Sequence, residues 1–370
     1  MNARNVSRED LNLGRGLNVD IHGHIIPAET LGKAGKYGPK VHIDDEGFIN
    51  IVVGEVNHRE YVGKKDLRSA GLGGVTSSFT EPEFRIKGMN KGGLDILGVT
   101  CSAHFYLYWA EPDIGIEFAR VQNEALARYV SGHPTRLFFM PTLPLQDVKA
   151  SVEEARYGIQ ELGGKALNIG ASNIAGAELD DERFFPIYEL AEELGVPLFV
   201  HPYPSNLARP DQDDTYHLSL ILGFPYEETV AFTRLVFGGV LDVFPKLKVY
   251  ITHGGGFTPY QLGRIATFAK LVPGVKAKRP IEEYLGNFYF DVLLHDSRAR
   301  KFMVDVMGPR NVVVGSNYGG MDAGDGFKLL GEVPLTDEHR HLISGENAVT
   351  VFGLQDMAAA RAAEIMGGGA

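Results

Sequence analysis

Short runs of apolar, often β-branched residues recur along the chain, and between them lie longer stretches whose apolar residues return every three or four positions. The runs predict strands and the stretches predict helices, because side chains alternate across a strand and repeat at 3.6 along a helix. The strand candidates are Leu17–Ile21, Leu94–Ser102, Leu137–Leu143, Ala166–Ile169, Pro197–Val200, Lys248–Thr252, Phe288–Val292 and Val312–Gly315. Helical spacing covers Glu117–Val130, Val148–Glu161, Phe185–Leu194 and Thr229–Leu241. Alternating strands and crossover helices predict parallel pairing, and eight strands suffice to close a barrel. The expected fold is therefore α/β, a (β/α)8 TIM barrel occupying residues 1–370 as one domain.

Two stretches interrupt the alternation. Residues 33–91 are too long and too rich in glycine for one crossover helix, and within them Lys40–Val53 alternates like a hairpin turning at Asp45, Glu46 and Gly47. We read 33–91 as a small insertion between the first and second strands, lying over the barrel mouth. A second long connection, Tyr203–Glu227, follows a strand end, where barrel enzymes carry their active-site loops.

Charge and cysteine usage narrow the partners. The net charge of -11 comes from 47 acidic and 36 basic residues, and no stripe of Lys and Arg could track a phosphate backbone, so nucleic acid is excluded as an expected partner. An anionic small substrate stays open, because a metal and nearby cations set the field inside a pocket. The single cysteine, Cys101, lies in the apolar run Leu97–Ala103 and is expected to be a buried thiol in a reducing compartment. The polar start Met1–Gly16 and the lack of a long apolar run predict a cytoplasmic protein with no membrane span.

The candidate chemistry sits at strand ends. His22 and His24, in Asp20-Ile21-His22-Gly23-His24, are two apart and so share one side of the first strand. His201 ends the fifth strand, and His253 ends the sixth, ahead of Gly254-Gly255-Gly256. At the C-terminal rim of a barrel these four histidines converge on one point, which predicts one divalent metal as cofactor. Zinc is the first choice, with manganese and iron as alternatives. Such a metal acidifies a bound water or polarises a substrate oxygen while an unligated base moves the proton, and His253 is the candidate for that base.

These residues, in this order, resemble the amidohydrolase superfamily, and within it the group of aminocarboxymuconate-semialdehyde decarboxylase and related aromatic-acid decarboxylases. The likeness runs through most of the chain. It includes Asn123–Ala125, Pro134–Phe138, Leu143-Pro144-Leu145, Phe184-Phe185-Pro186, Leu241-Asp242, Pro245–Lys248, Pro259–Arg264, Tyr289–Asp291, His295-Asp296 and Asn347-Ala348, while Tyr108-Trp109-Ala110 resembles the decarboxylase in particular. The resemblance implies metal ligation by His22, His24 and His201, and water activation and proton transfer by His253. It also implies that Arg264 reaches a neighbouring subunit's pocket to hold a substrate carboxylate, hence a dimer. Asp291 ends the seventh strand and, with Glu81, is a candidate to orient a ligating imidazole.

One departure bears on the chemistry. Where the family has Gly-Ser-Asp after the eighth strand, this chain has Gly315-Ser316-Asn317, followed by Tyr318-Gly319-Gly320 in place of Tyr-Pro. Asn317, at a metal and catalytic position, offers a neutral carbonyl oxygen but no anion and no proton-accepting group near neutral pH. Three functions are therefore weighed. The first is a lyase decarboxylating a small aromatic or unsaturated carboxylic acid, with Arg264 and Arg59 on carboxylate. The second is a hydrolase using metal-bound hydroxide. The third is a metal-binding subunit of a hetero-oligomer, paired with a paralogous chain in iron- or manganese-dependent oxidation. Trp109, with Phe105, Tyr106 and Tyr108, is a candidate to stack on an unsaturated substrate, and His58, His104, His217 and His295 are the remaining histidines near the mouth.

Overall fold

A computed structural model describes residues 16–46, 48–61, 80–204, 215–320 and 326–367. The expected turn residue Gly47, the middle of the insertion (62–79), part of the loop after the fifth barrel strand (205–214) and the polar start (1–15) lie outside the described residues.

Eight parallel strands form the centre: β1 (Val19–Ile25), β5 (Ile96–Cys101), β6 (Leu137–Phe139), β7 (Leu167–Gly170), β8 (Leu198–His201), β9 (Val249–Ile251), β10 (Phe288–Asp291) and β11 (Val312–Val313). They are ordered β1-β5-β6 in one sheet and β7 to β11 in sequence in another. Single bridges join the two. Thr142 pairs with Asn168 on one side, and Asp20 with Val314 and Gly23 with Tyr318 on the other, so the eight strands close into the expected barrel. Every residue of β1, β5, β7 and β8 is buried; β5 accordingly reads as a near-continuous apolar run, whereas β1 also buries Asp20, His22 and His24.

The boundaries differ from expectation for local reasons. β1 runs on to Ile25, so His22 and His24 lie within the strand, and its pairing with β5 shifts register between Asp20 and Gly23. β6 stops at Phe139, two residues before Pro141, which has no N–H for a ladder. The helix expected from Thr229 begins at Phe224 and ends at Phe237, because Gly239 adopts φ 74° and a separate short turn, Val240–Val243, follows. The helix expected over Val148–Glu161 is α-helical to Arg156 and widens into a π-turn over Tyr157–Glu161, whereas Phe185–Leu194 is as expected and Glu117–Val130 extends to Pro112–Ser131.

Within residues 33–91 the hairpin is present, as β2 (Lys40–Ile43) antiparallel to β3 (Phe48–Val53). A third strand, β4 (Val56–Tyr61), adds to β3. Its sequence, Val-Asn-His-Arg-Glu-Tyr, carries too little apolar alternation to have signalled a strand. Ile49, Ile51 and Val53 of this sheet are buried in the same core as Ile25 and Phe105, which fixes the sheet against the barrel. The crossover helix into β5 is Pro82–Gly92, ended by Gly93 in the left-handed conformation. A smaller core gathers Phe199, Tyr250, Phe138 and Ile21 with Phe352 and Leu354 near the C-terminus. No helix among the described residues is long and apolar enough to cross a membrane.

Candidate metal centre

The strands bring all four predicted histidines together. Ring centroids of His22 lie 5.2, 5.1 and 5.1 Å from those of His24, His201 and His253, and His201 lies 4.9 Å from His24 and 5.2 Å from His253. Phe199, two residues before His201 on β8, forms the floor, its ring 5.9 Å from His22 and 5.0 Å from Tyr250.

Each of three imidazoles is fixed through Nδ1. His22 Nδ1 donates to the Asp291 carboxylate at 3.0 Å, His201 Nδ1 to the carbonyl of Pro202, and His253 Nδ1 meets Glu228 Oε1 at 2.7 Å. A proton held on Nδ1 leaves the lone pair on Nε2, the form in which imidazole binds a metal or accepts a proton. One ligand nitrogen from each of His22, His201 and His253 lies within 4.8 Å of the others, a geometry that could hold a metal ion. Nε2 of His201 is buried without a hydrogen-bond partner. Burial, and then His24, His22 and His253 around it, drive the His201 pKa well below its ordinary value, so it stays neutral. A cluster of imidazole nitrogen donors fits a single divalent cation.

The carboxylates behind the histidines are themselves held. Asp291 Oδ2 also accepts from Tyr250 Oη at 2.6 Å, while Oδ1 accepts from the N–H of Gly254 at 2.9 Å and of Leu293 at 3.1 Å. Burial raises its pKa, against the pull of His253 and these donors. Glu228 is fully buried, accepts from Thr252 Oγ1 as well as from His253, and is pushed up to about 7 by burial. Asp20 holds the rim from behind, accepting from the N–H of His22 and from Ser316.

Asn317 is placed by its neighbours. The Tyr318 N–H donates to the His22 carbonyl at 2.8 Å, and the Tyr318 carbonyl accepts from the His24 N–H at 2.8 Å, so Asn317 adjoins the histidine strand, buried and at φ 50°. A Cβ at Gly320 would come within 2.1 Å of Asn317 Oδ1, so a glycine at 320 makes room for the amide.

Other expected residues fall elsewhere. Arg264 is exposed on the helix Thr258–Ala269, its guanidinium 4.7 Å from the Phe268 ring. Trp109 is half-buried and stacks on Tyr203 at 5.8 Å, beside Tyr106 and Tyr108. Arg59 is committed to Asp44 at 2.7 Å and Glu46 at 2.6 Å and lies over Phe48. Glu81 is exposed ahead of the helix Pro82–Gly92, and His295 is exposed.

Two residues were missed. Glu228 sits on the buried stripe of its helix with Ala231, Phe232, Leu235 and Val236, and that helical spacing, with an acid on the apolar face, was the available signal. Arg85 is fully buried and donates to the carbonyls of His24 at 2.6 Å and Tyr318 at 3.1 Å, with its guanidinium 4.4 Å from the Tyr318 ring, locking both sides of the rim.

The amidohydrolase family model matches residues 19–354. The 2-amino-3-carboxymuconate-6-semialdehyde decarboxylase of Dictyostelium discoideum is 33% identical over 347 residues, 92% of each chain. A gamma-resorcylate decarboxylase of Polaromonas is 30% identical over 217 residues, 55% of this chain and 66% of that one. Among solved structures, a dihydroxybenzoic acid decarboxylase of Polaromonas with bound manganese and 2-nitroresorcinol superposes with TM-score 0.73 at 22% identity, covering 92% of this chain and 98% of its own. The 5-carboxyvanillate decarboxylase of Sphingomonas paucimobilis gives TM-score 0.73 at 22% identity, covering 91% and 99%.

Proposed function

The chain belongs to the amidohydrolase family, and on that premise we propose that it is a metal-dependent carboxy-lyase that removes CO2 from a small aromatic or unsaturated carboxylic acid. The observation that carries this reading is the contact of His253 with Glu228 at 2.7 Å, which sets an acid-base group beside the histidine cluster.

On the family pattern His22, His24 and His201 would hold the metal, with the Asn317 carbonyl oxygen as a neutral fourth donor, while His253, whose ligand nitrogen also lies within 4.8 Å of those of His22 and His201, is kept for proton transfer. When bound, the ion polarises a substrate oxygen and draws electron density from the reacting bond. Loss of CO2 leaves the bonding electron pair on the substrate carbon, which must then take up a proton. His253 delivers that proton from Nε2, and Glu228 steadies the imidazolium through Nδ1. Asn317 lacks the carboxylate that would help hold and deprotonate a nucleophilic water, which weighs against hydrolysis; nonhydrolytic decarboxylation needs no such carboxylate.

Zinc is our first choice of metal, on the nitrogen-rich donor set, with manganese, which the Polaromonas relative holds, as the alternative. The three-stranded sheet within 33–91 serves as a cover over the mouth of one barrel domain. We read the protein as cytoplasmic, on its single cysteine, and as a homodimer. Exposed Tyr226, Phe257, Tyr260, Phe268, Leu271 and Phe302 lie on or around the helix that carries Arg264, and a second copy covering them would bring Arg264 to a substrate carboxylate in the partner. Trp109 would line the pocket wall.

The test is CO2 release from a panel of hydroxybenzoic and unsaturated acids by protein loaded with zinc or manganese. Release that falls at least about 100-fold in His253→Gln, with metal content unchanged, supports the reading. No release from any acid overturns it, and iron together with a co-purifying chain would favour the oxidative hetero-oligomer instead.

A further inference from the structure

The insertion presents a histidine to the barrel mouth where an arginine was expected. Alternation along β4 sends Arg59 to its acidic partners Asp44 and Glu46 and turns His58 to the opposite face, where it is buried. There it meets His104, on the turn that follows β5, with ring centroids 4.6 Å apart and the rings at 71°. His104 is 8% exposed, and its Nδ1 lies 2.8 Å from Ser102 Oγ. Its Nε2 is buried without a hydrogen-bond partner.

A serine hydroxyl either donates or accepts, so Ser102 permits both tautomers of His104, and Nε2 can serve as acceptor or donor. Burial, with His58 and His24 nearby, keeps the His104 ring uncharged. A buried, uncharged nitrogen favours a partner that is itself uncharged and can both give and take a hydrogen bond. A hydroxyl meets that description. A second carboxylate does not, because it cannot donate and would lose its hydration without a cation in return.

Resting on the decarboxylase reading for the class of substrate, we propose that His104 and His58 form a hydrogen-bonding subsite that takes a ring hydroxyl of a monocarboxylic aromatic acid. Ser102 is its positioning residue. The pair thereby selects hydroxylated monoacids over diacids at a point separate from the histidines that converge near His22.

Calorimetric titration of the zinc-loaded protein with benzoate, 3-hydroxybenzoate, 4-hydroxybenzoate and isophthalate tests this through binding, a readout that does not require turnover. The better hydroxybenzoate should bind about fivefold more tightly than benzoate, as one added neutral hydrogen bond provides, and isophthalate should bind no better than benzoate. His104→Leu should erase the hydroxyl preference while leaving the benzoate Kd within about twofold. His58→Phe, which keeps a ring against the neighbour, should at least halve the preference and stands in if His104→Leu does not fold. A preference unchanged in the folded variants, no preference in the wild type, or tighter binding of isophthalate overturns the proposal. Absence of CO2 release with the hydroxyl preference intact would sink the lyase reading and leave the subsite standing.

Discussion

His22 Nδ1 and Asp291 Oδ2 lie 3.0 Å apart, joining the first barrel strand to the seventh through fully buried side chains. The carboxylate fixes which nitrogen of the ring carries the proton, and so which one faces His24, His201 and His253. Tyr250 and two backbone N–H groups hold Asp291 in turn, leaving it little freedom to turn away.

Asp291→Asn should therefore weaken metal binding roughly 10- to 100-fold, read as metal retained per chain during titration with a chelator. Retention equal to wild type would mean that His22 keeps its tautomer without the carboxylate.

Burial lifts the Glu228 carboxyl to about 7, against the pull of His253 and Thr252. In Glu228→Gln the negative charge that supports the imidazolium is gone. The value of kcat should fall at least about tenfold, with a changed pH profile between about 6 and 8 and little change in KM. A profile identical in shape to wild type would remove Glu228 from the proton transfer.

Asn317→Asp adds one negative charge beside the histidine strand. Metal affinity should rise about tenfold or more, the size of a single charge interaction at moderate dielectric. The same variant should raise any hydrolytic activity, and equal metal affinity would show that residue 317 does not reach the ion.

Asp296 caps the helix Ser297–Met307, accepting from the N–H of Arg298 at 2.8 Å and of Ala299 at 3.4 Å. Arg298 and these N–H groups hold its carboxyl well below the ordinary value of 3.8. A carboxyl depressed in the folded state adds stability that is present above the unfolded value and is lost as pH falls through the folded one. Asp296→Ala should lower Tm at pH 7, with a difference that narrows below about pH 4. A gap constant down to pH 2 would assign the effect to something other than the ionised cap.

What was legible in the chain follows from what repeats. Barrel strands buried on both faces write themselves as apolar runs, and a histidine at the end of such a run is conspicuous because imidazole is out of place there. Thus His22, His24, His201 and His253 could be gathered before any coordinates. Asp291 was visible for the same reason. Glu228 and Arg85 were not, because each sits on a helix, where a charged residue is ordinarily solvated, and only the phase of the surrounding apolar residues marks it as buried. That Arg59 turns to Asp44 and Glu46 while His58 is buried was not legible either, because β4 has too few apolar residues to show which of its faces turns inward.

The barrel closes where Gly23 pairs with Tyr318, between the two histidines of the first strand and the segment that carries Asn317. During synthesis the ribosome releases His22 and His24 early and the strand that completes their surroundings last. The pocket therefore matures only once the chain has come full circle, and a metal ion bound there would act as a clasp on a finished ring, rewarding chains that have closed in the correct register.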